Sequence, residues 1–534
     1  MARKTSYTLE LTGELVAVTP LHIGGADTGD TVDMPFARDG AGNLYIPGTS
    51  LAGAIRAWEG MADVSDDLWG YAGKSDLEDH ASHLIFDDAP LRIDAGDGGA
   101  ATELWHGIGI DRHSGATATG IKFDREVLPR GSRFGFRLQL EVPPDSNIEG
   151  VLTRIARIQV GLEEGYIEIG GSVTRGFGGV RLQKAEHRVV NWGSREGVLA
   201  WLQNDSLATS PLREQWQEAY RVASSQAASL RRHIEIAIHW RPKGPVMVKS
   251  AHEGVAVDGM PFVSRGEDDH YLLTLPGSSL KGALRQHAER IMRTVLDDPA
   301  DISKVHPRDQ VKVDLVAAIF GAARAVDAPP RAATDAGQPA VPPDGTGGRG
   351  LLSVYTCYAD LGYTLSQWRD MEELTSAWHR GRLTVAGNDQ PLYRADRIAI
   401  DRWLGRPVDG ALYSVVEPDS NTVWEPMRLR LRPLPESGAG GALLWLLLRD
   451  LCAGRIPLGF GVNRGFGDIE VARVDIAGYG AADFSCLGDR AIELDVTAGA
   501  LNETAAAEVV KTFAGAWTRY LAGKGIDVGS GRGE

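Results

Sequence analysis

The sequence GGSVTRGFGGVRL, residues 170–182, returns near the other end of the chain as LGFGVNRGFGDIEV, residues 458–471. Each stretch carries an Arg-Gly-Phe-Gly core and continues into alternating apolar and polar residues, which predict a β-strand. Both loops follow a predicted helix instead of preceding one, and neither has a Lys-Ser/Thr pair, which disfavours dinucleotide and P-loop sites. Two interpretations stay open: a tight turn before an edge strand, or a bare backbone that a polymer approaches while arginine holds its phosphates.

The rest of the chain supports an internal repeat. Residues 20–33, PLHIGGADTGDTVD, align without a gap with residues 245–258, PVMVKSAHEGVAVD, and this alignment matches Asp33 with Asp258. Later matched pairs lie farther apart, which indicates insertions in the middle of the second copy. These pairs are Asp111 with Asp401 (401 − 111 = 290) and Arg175 with Arg464 (464 − 175 = 289).

The pattern of predicted elements gives the fold class. Each copy reads as strand, helix, strand, strand, helix, strand, which is typical of a ferredoxin-like (RRM-like) unit in the α+β class. One insertion, near 326–350, is rich in Pro, Gly and Ala and is predicted to be a mobile surface loop. We expect a first domain at 1–187, a helical connector at 188–231, a second domain at 232–480 and a C-terminal extension with a helix at 481–534.

The composition predicts a folded, cytoplasmic protein. The 534 residues are 43% hydrophobic, with no apolar run long enough for a membrane span and no secretory signal pattern at the start. Cys357, Cys452 and Cys486 stand singly, without the spacing of a zinc site or a disulfide framework. A net charge of −15 lowers the expectation of nucleic-acid binding, but arginines gather near 112–133, near 394–406 and in the glycine loops, so RNA binding stays open.

Several motifs occur in a fixed order in the first copy: LHIGG, a following aspartate, PGTSLAGAIR, HSGATATGIKFDREVLPRGSRFGF and GGSVTRGFGGVRL. This ordered set resembles the RAMP superfamily, specifically the repeated backbone subunit of type III CRISPR effector complexes. The resemblance covers about residues 7–186 and, less strictly, 232–475. It implies two RAMP domains in tandem, each with a thumb and insertions, as in type III variants whose subunits are fused.

The resemblance also implies a function. In that family the ferredoxin-like palm binds guide RNA, and a thumb, here about residues 107–130 and 397–416, enters the guide–target duplex and displaces a base pair periodically. The aspartate that cleaves target RNA falls at Asp33, with Asp258 in the corresponding place of the second copy. Both are the expected metal ligands, for Mg²⁺ (or Mn²⁺), because a sparse oxygen site suits such a cation better than zinc. The implied partners are CRISPR guide RNA, complementary target RNA and other type III effector subunits, with no membrane.

Contacts with RNA are predicted on matched elements of both copies. Lys281 lies in the SLKG motif, where the first copy has Ala52, so the first guide contact is expected to be weaker. His22 is replaced by Met247 in the second copy, so a catalytic role for this histidine is not expected. The candidate RNA-binding residues are His22, Arg56, Arg175, Gly176, Phe177, Lys281, Arg285, Arg464, Gly465 and Phe466.

Four functions remain possible from the sequence. The leading hypothesis is an RNA-guided ribonuclease subunit, and the second is a non-catalytic structural subunit that only holds guide RNA. A guide-processing endonuclease would need a histidine or another acid–base set near the glycine loop, and neither loop contains a histidine. A small-ligand enzyme of ferredoxin-like fold would leave the paired thumbs and arginine loops unexplained. The chain has no Gly-Gly-Asp-Asp and no His-Asp pair, so cyclic-oligonucleotide synthesis is not expected.

Overall fold

A computed structural model describes most of the chain. Of the predicted loop near 326–350, residues 326–347 lie outside the described part of the chain. The described residues are 4–25, 32–60, 68–70, 80–92, 102–203, 211–230, 233–251, 257–266, 270–297, 302–306, 310, 313–322, 348–373, 378–379, 382–385, 388–432, 438–479 and 491–526.

The first half builds an antiparallel sheet from strands spread over its whole length. Its elements are β1 (Tyr7–Ala17), β2 (Tyr45–Ile46), α1 (Gly48–Glu59), β3 (Leu84–Phe86), β4 (Ala89–Arg92), β5 (Glu103–Ile110), β6 (Thr117–Val127), β7 (Arg133–Val142), α2 (Ile148–Glu163) and β8 (Val180–Asn191). The sheet order is β2-β4-β7-β1-β8, with β3 also paired to β7, so the first and last strands are neighbours. Strands β5 and β6 form a separate hairpin.

Apolar side chains between this sheet and its helices form the first core. The alternating pattern of β1 places Leu9, Leu11 and Leu15 in it, as expected for a strand with one buried face. The connector that follows contains α3 (Arg195–Leu202) and α4 (Pro211–Ser225). Helix α4 packs against α2, and its Trp216 is fully buried in the same core, so these elements fold as one unit.

The second half has a larger sheet and more insertions. Its sheet order is β14-β20-β9-β21-β22-β23, in which β20-β9-β21 repeats the arrangement of β7-β1-β8 in the first sheet. The strands are β9 (His233–Pro242), β10 (Val263–Arg265), β11 (Tyr271–Leu275), β12 (Gly321–Ala322), β13 (Gly348–Arg349), β14 (Leu352–Val354), β15 (Cys357–Tyr363), β16 (Trp378–His379), β17 (Arg382–Val385), β18 (Asn388–Ile400), β19 (Pro407–Pro418), β20 (Met427–Leu431), β21 (Ile469–Tyr479), β22 (Ala491–Thr497) and β23 (Ala500–Leu501). The helices are α5 (Gly277–Val295), α6 (Asp314–Phe320), α7 (Leu365–Glu373), α8 (Ala439–Cys452) and α9 (Ala507–Gly523).

A second core, separate from the first, lies under this sheet and holds Trp445 of α8 together with Phe513 of α9. The C-terminal strands β22 and β23 extend the sheet beyond β21, so the C-terminal segment belongs structurally to the second half. The mixed α+β class predicted from the sequence is confirmed. None of the described helices combines the length and the apolar character needed to cross a membrane.

Helices α1 and α5 begin in the same way. Each follows a proline, and its first backbone N–H is bound by a side chain that is distant in sequence. The N–H of Gly48 donates to Asp88 Oδ1 at 2.8 Å, and the N–H of Gly277 donates to Thr356 Oγ1 at 3.3 Å. A Cβ at either glycine would lie 2.2 Å from a carbonyl oxygen, so both positions require glycine.

Candidate nucleic-acid interface

Asp33 lies exposed beside the hairpin of β5 and β6. Its Oδ2 accepts a hydrogen bond from the N–H of Asp124 at 2.9 Å, and its own N–H donates to Asp124 Oδ1 at 2.7 Å. The next residue, Met34, pairs in parallel with Arg125 of β6. The Asp33 carboxylate is therefore held against the hairpin, next to a second carboxylate.

Asp258 has the same placement on the hairpin of β18 and β19. Its Oδ2 accepts hydrogen bonds from the N–H of Ser414 at 2.8 Å and from the Ser414 hydroxyl at 3.3 Å. Gly259, the next residue, pairs in parallel with Val415 of β19, just as Met34 pairs with Arg125 of β6 in the first half. The structure thus brings each predicted catalytic aspartate to the same position, but the neighbouring side chain is Asp124 in one half and Ser414 in the other.

The oxygen ligands at these two positions fit a cation that is shared with substrate. Among the described residues no group of three or more His, Cys, Asp or Glu side chains is arranged for a metal. Asp33 with Asp124 supplies carboxylate oxygens, and Asp258 with Ser414 supplies a carboxylate and a hydroxyl. Mg²⁺ usually takes one or two carboxylates, several waters and substrate phosphate, so the residues suit Mg²⁺ or Mn²⁺ only with phosphate oxygens added.

Glu126 of β6 fastens the loop that carries Asp33, here named the aspartate loop (residues 32–38), to the hairpin. Its carboxylate accepts hydrogen bonds from the Phe36 N–H at 2.8 Å and from Thr102 Oγ1 at 2.6 Å, and it pairs with Arg38. Burial raises the pKa of Glu126, but these three partners outweigh burial and leave the pKa below its ordinary value. The carboxylate is therefore ionised at neutral pH and orders the loop.

The two glycine loops have the same backbone but different surroundings. Gly176 and Gly465 each follow a 3₁₀ turn and have φ values of 89° and 85°. A Cβ on Gly176 would lie 2.7 Å from the backbone nitrogen of Thr356, in the second half of the chain. Among the described atoms nothing lies within 4 Å of a Cβ at Gly465. The first loop is packed against the second half, whereas none of the described residues covers Gly465.

Cationic side chains from both halves meet where the first glycine loop contacts the second half. Burial lowers the pKa of Lys281 well below its usual range, and the charges of Arg175, Arg285, Arg349 and Arg432 lower it further. These five residues are here named the junction cluster. On an acidic chain such a local concentration of positive charge is the feature that attracts a polyanion.

Two carboxylates partly balance the junction cluster. Glu168 accepts a hydrogen bond from Arg349 at 2.9 Å, and Glu289 accepts one from Arg285 at 2.8 Å. The balance is incomplete because the cluster has four arginines and Glu289 also binds Arg112 of the first hairpin. The cluster therefore keeps an excess of positive charge at the junction of the two halves.

Residues 14–181 match the family model of the RAMP superfamily. The matched segment contains the aspartate loop, the first hairpin and the Arg175 glycine loop. One relative, the CRISPR system Cms endoribonuclease Csm3 of Methanocaldococcus jannaschii, is 28% identical to this chain over 200 residues, which cover 32% of this chain and 77% of that protein. The family model confirms the RAMP resemblance for the first half.

Within the RAMP-matching half and its counterpart, the phenylalanines of the glycine loops are buried. Phe177 and Phe466 are each 2% exposed. The ring centroid of Phe177 lies 5.1 Å from that of Trp105 in β5, and the guanidinium carbon of Arg397 in β18 lies 4.7 Å from the Phe466 ring centroid. Each phenylalanine therefore ties its glycine loop to the hairpin of the same half, and RNA contact by either ring stays a prediction.

Two other predicted RNA contacts are buried in this conformation. His22 is 5% exposed, its Nδ1 lies 2.8 Å from the Glu126 carbonyl oxygen, and burial lowers its pKa, so the ring is neutral at pH 7. Lys281 donates from Nζ to the Leu352 carbonyl oxygen at 2.7 Å. The structure gives both side chains a local packing role.

The remaining arginine candidates are accessible. Arg464 is exposed and donates from Nη1 to the Tyr413 hydroxyl at 2.9 Å, while Arg56 is partly exposed on α1. Sequence reasoning missed Asp124, Ser414, Arg349 and Arg432. Asp124 is part of a motif that carried the RAMP resemblance, but its pairing with Asp33 spans 91 residues and has no local signal.

Proposed function

We propose that the chain is a guide-RNA-binding backbone subunit of a type III CRISPR ribonucleoprotein that cleaves complementary target RNA. The cleaving groups are the carboxylates of Asp33 and Asp258. The observation that carries the proposal is that each exposed aspartate stands one residue before a parallel pairing with a hairpin strand, in one case within the RAMP-matching segment. The relative named as a Csm3 endoribonuclease supports the same function.

The proposed architecture is a tandem pair of ferredoxin-like RAMP units in one chain. The units are residues 1–187 and 232–480, joined by the connector at 188–231 and followed by the extension at 481–534. The shared strand arrangement around β1 and β9 supports this division. The proposed location is the cytoplasm, with the other effector subunits as partners.

Guide RNA is proposed to cross the junction cluster. Arg175 and Arg285 come from different halves, so a strand bound there contacts both RAMP units at once. Arg349 and Arg432 add charge from the second half, and phosphate contacts of this kind bind without regard to base sequence. This suits a guide whose sequence varies.

The aspartates are proposed to act on the target strand near the hairpins. When bound, Mg²⁺ or Mn²⁺ supplies positive charge that stabilises the phosphate under attack. The carboxylates of Asp33 and Asp258 would hold that cation, and the hydrogen bond from the Asp124 N–H or the Ser414 N–H fixes the orientation of each carboxylate. A fixed carboxylate loses little freedom on binding, which favours reaction geometry.

An alternative is a non-catalytic structural subunit that binds guide RNA in the same complex. The sparse ligand set favours it, because no group of three ligands surrounds either aspartate in the described part of the chain. The two functions differ in one respect only, namely whether removal of the aspartate charges stops cleavage.

The test is target-RNA cleavage by the assembled ribonucleoprotein with Mg²⁺. Asp33→Asn and Asp258→Asn keep an oxygen that accepts the backbone hydrogen bond but remove the negative charge, and Asp145→Asn in an exposed loop is the matched control. Each site variant is expected to lose one set of products by about 100-fold, which corresponds to about 2.7 kcal/mol of transition-state stabilisation. Guide content should stay at the wild-type level.

The double variant decides between the two functions. Loss of all products together with retained guide RNA supports cleavage by this chain. Cleavage at every position at the wild-type rate would show that the chemistry belongs to another subunit, and the structural alternative would then hold.

A further inference from the structure

Arg125 of β6 is a buried cation without a carboxylate partner among the described residues. It is 8% exposed, and its Nε makes no hydrogen bond there. Its Nη2 lies 3.3 Å from the sulfur of Met34, and a thioether is a weak acceptor. Burial lowers the pKa of Arg125 to about 10, so the guanidinium is still positively charged at neutral pH. Most of its capacity to donate hydrogen bonds is therefore unused.

The side chain of Arg125 lies between the aspartate loop and the first glycine loop. Met34, which the guanidinium contacts, directly follows Asp33 in the aspartate loop. The guanidinium carbon lies 5.4 Å from the ring centroid of Phe177 in the glycine loop. The charge of Arg175 in the same loop lowers the pKa of Arg125 further. Arg125 thus joins the loop with the proposed cleaving carboxylate to a loop with a second cation.

The second half shows how the same part of the fold balances a buried guanidinium. Arg397 of β18 also stacks on the phenylalanine of its glycine loop, with its guanidinium carbon 4.7 Å from the Phe466 ring centroid. In addition it pairs with Glu417, which is 1% exposed and accepts a hydrogen bond from Nε at 3.0 Å. An aromatic ring and a carboxylate therefore compensate the charge of Arg397 together.

The first half has the aromatic ring but not the carboxylate. The offset of 290 residues between the two hairpins puts Val127 at the position of Glu417 (417 − 290 = 127), and Val127 is fully buried. The same offset puts Val415 at the position of Arg125 (125 + 290 = 415), in agreement with the parallel pairings of the two aspartate-bearing segments. The charge of Arg125 thus has no counterpart at the matched position and lacks the carboxylate that Arg397 has.

We propose that Arg125 binds a phosphate group of the RNA, and that Val415 leaves the second half without this contact. An arginine donates to two phosphate oxygens at once, which would use the free nitrogens and neutralise the buried charge. The inference rests on the proposed function, because it requires RNA at the first hairpin. The contact is expected in the target strand, since Met34 directly follows Asp33.

The first test measures binding of target RNA to the purified ribonucleoprotein. A target with 2′-O-methyl groups throughout has no 2′-hydroxyl to attack its phosphates, and it is shortened until its dissociation can be measured. Arg125→Met keeps a long apolar side chain against the rings. It is expected to weaken binding about tenfold and to lower the slope of log affinity against log salt by about one. Arg125→Lys should restore most of this slope, and Arg157→Met on the exposed face of α2 is the matched control.

Neutral methylphosphonate linkages, placed one at a time in the same target, test whether Arg125 touches a phosphate. One linkage should weaken binding to the wild-type complex about tenfold. Arg125→Met should abolish the effect of that linkage alone, because one contact cannot be lost twice. If Arg125 only packs against the rings, the variant and every neutral linkage act independently.

The same scan in a synthetic guide distinguishes the two strands. Coupling between Arg125→Met and a guide linkage would show that a guide phosphate occupies the site. A lack of coupling in both strands overturns the proposal. A wild-type complex that no neutral linkage weakens, in either strand, overturns it without any variant.

Cleavage of unmodified target separates this inference from the proposed function. If Asp33→Asn still yields every product, the proposed function fails, whereas coupling at Arg125 would still stand. Asp33-dependent cleavage without coupling contradicts the phosphate site alone. With a target contact, Arg125→Met should slow the products that Asp33→Asn removes about tenfold. The products that depend on Asp258 should form at the wild-type rate.

Discussion

Replacement of Gly176 or Gly465 by alanine separates the cost of backbone conformation from the cost of the contact between the two halves. The φ values are nearly equal, 89° and 85°, so a Cβ is disfavoured by about 1–2 kcal/mol at either position. At Gly176 the Cβ would also lie 2.7 Å from Thr356 N and 3.0 Å from the Val354 carbonyl oxygen. These are backbone atoms, which cannot rotate away as a side chain can.

The expected difference between the two variants follows from these distances. Overpacking in a tight contact costs about 1–3 kcal/mol, which brings the total for Gly176→Ala to about 2–5 kcal/mol. Gly465→Ala costs only the conformational part, because its Cβ meets none of the described atoms within 4 Å. The clash is local, so its effect should appear at the elements that face Gly176.

Amide hydrogen exchange measured by mass spectrometry tests this expectation. Gly176→Ala should lower the free energy of local opening at β14 and at the start of α5 by about 1–3 kcal/mol. Gly465→Ala should leave exchange at these two elements unchanged and so serves as the control. Equal exchange at β14 in the two variants would refute the conclusion that the first loop is packed against the second half.

The remaining predictions concern the carboxylates of Glu289 and Glu126. Glu289→Gln leaves Arg112 and Arg285 without their shared carboxylate and should destabilise the chain by about 3–5 kcal/mol in urea unfolding. Glu218→Gln in an exposed ion pair is the control and should lower the free energy of unfolding by under about 1 kcal/mol. A similarly small loss for Glu289→Gln would contradict the conclusion that Glu289 holds Arg112 against the second half. Folding lowers the pKa of Glu126. Its stabilisation of the aspartate loop is therefore fully present above the ordinary carboxyl pKa and is lost as pH falls through the lower pKa of the folded state. Hydrogen exchange in the aspartate loop, corrected for intrinsic rates, should therefore rise below about pH 4.5, and Glu126→Gln should remove this dependence. If hydrogen exchange in the aspartate loop changed only between pH 6 and 8, a group other than Glu126 would control the local opening of this loop.

The matched aspartates show which features of the site local sequence can predict and which it cannot. Asp33 and Asp258 could be paired by alignment because the repeat preserves the motifs around them, and the structure gives both the same parallel pairing. Their hydrogen-bond partners could not be identified, since Asp124 and Ser414 lie 91 and 156 residues away. A contact between residues so far apart in sequence depends on the fold and leaves no periodic signal near the aspartate.

The RNA-contact predictions show a similar limit. Residue type and motif position selected Arg175 and Arg285, which the structure brings together from different halves. The same reasoning selected Phe177 and Lys281, which the structure buries. Arg349 was not selected because its neighbours in sequence form no motif, yet it joins the junction cluster through tertiary packing.

The sequence by itself determined the repeat, the α+β class and the turns. The left-handed conformation of Gly176 or Gly465 depends on residues within a few positions, and so does the turn of the first hairpin, in which Asp111 Oδ1 accepts hydrogen bonds from the N–H groups of His113 and Ser114. Only the tertiary structure decided which of two nearly identical loops is covered and which is open. The atoms that cover Gly176 belong to Thr356 and Val354, and the carboxylate that binds Arg112 in the first hairpin belongs to Glu289, so all of them come from the other half of the chain. Local sequence is nearly the same in the two glycine loops, but among the described residues only Gly176 of the two loop glycines faces backbone atoms of the other half.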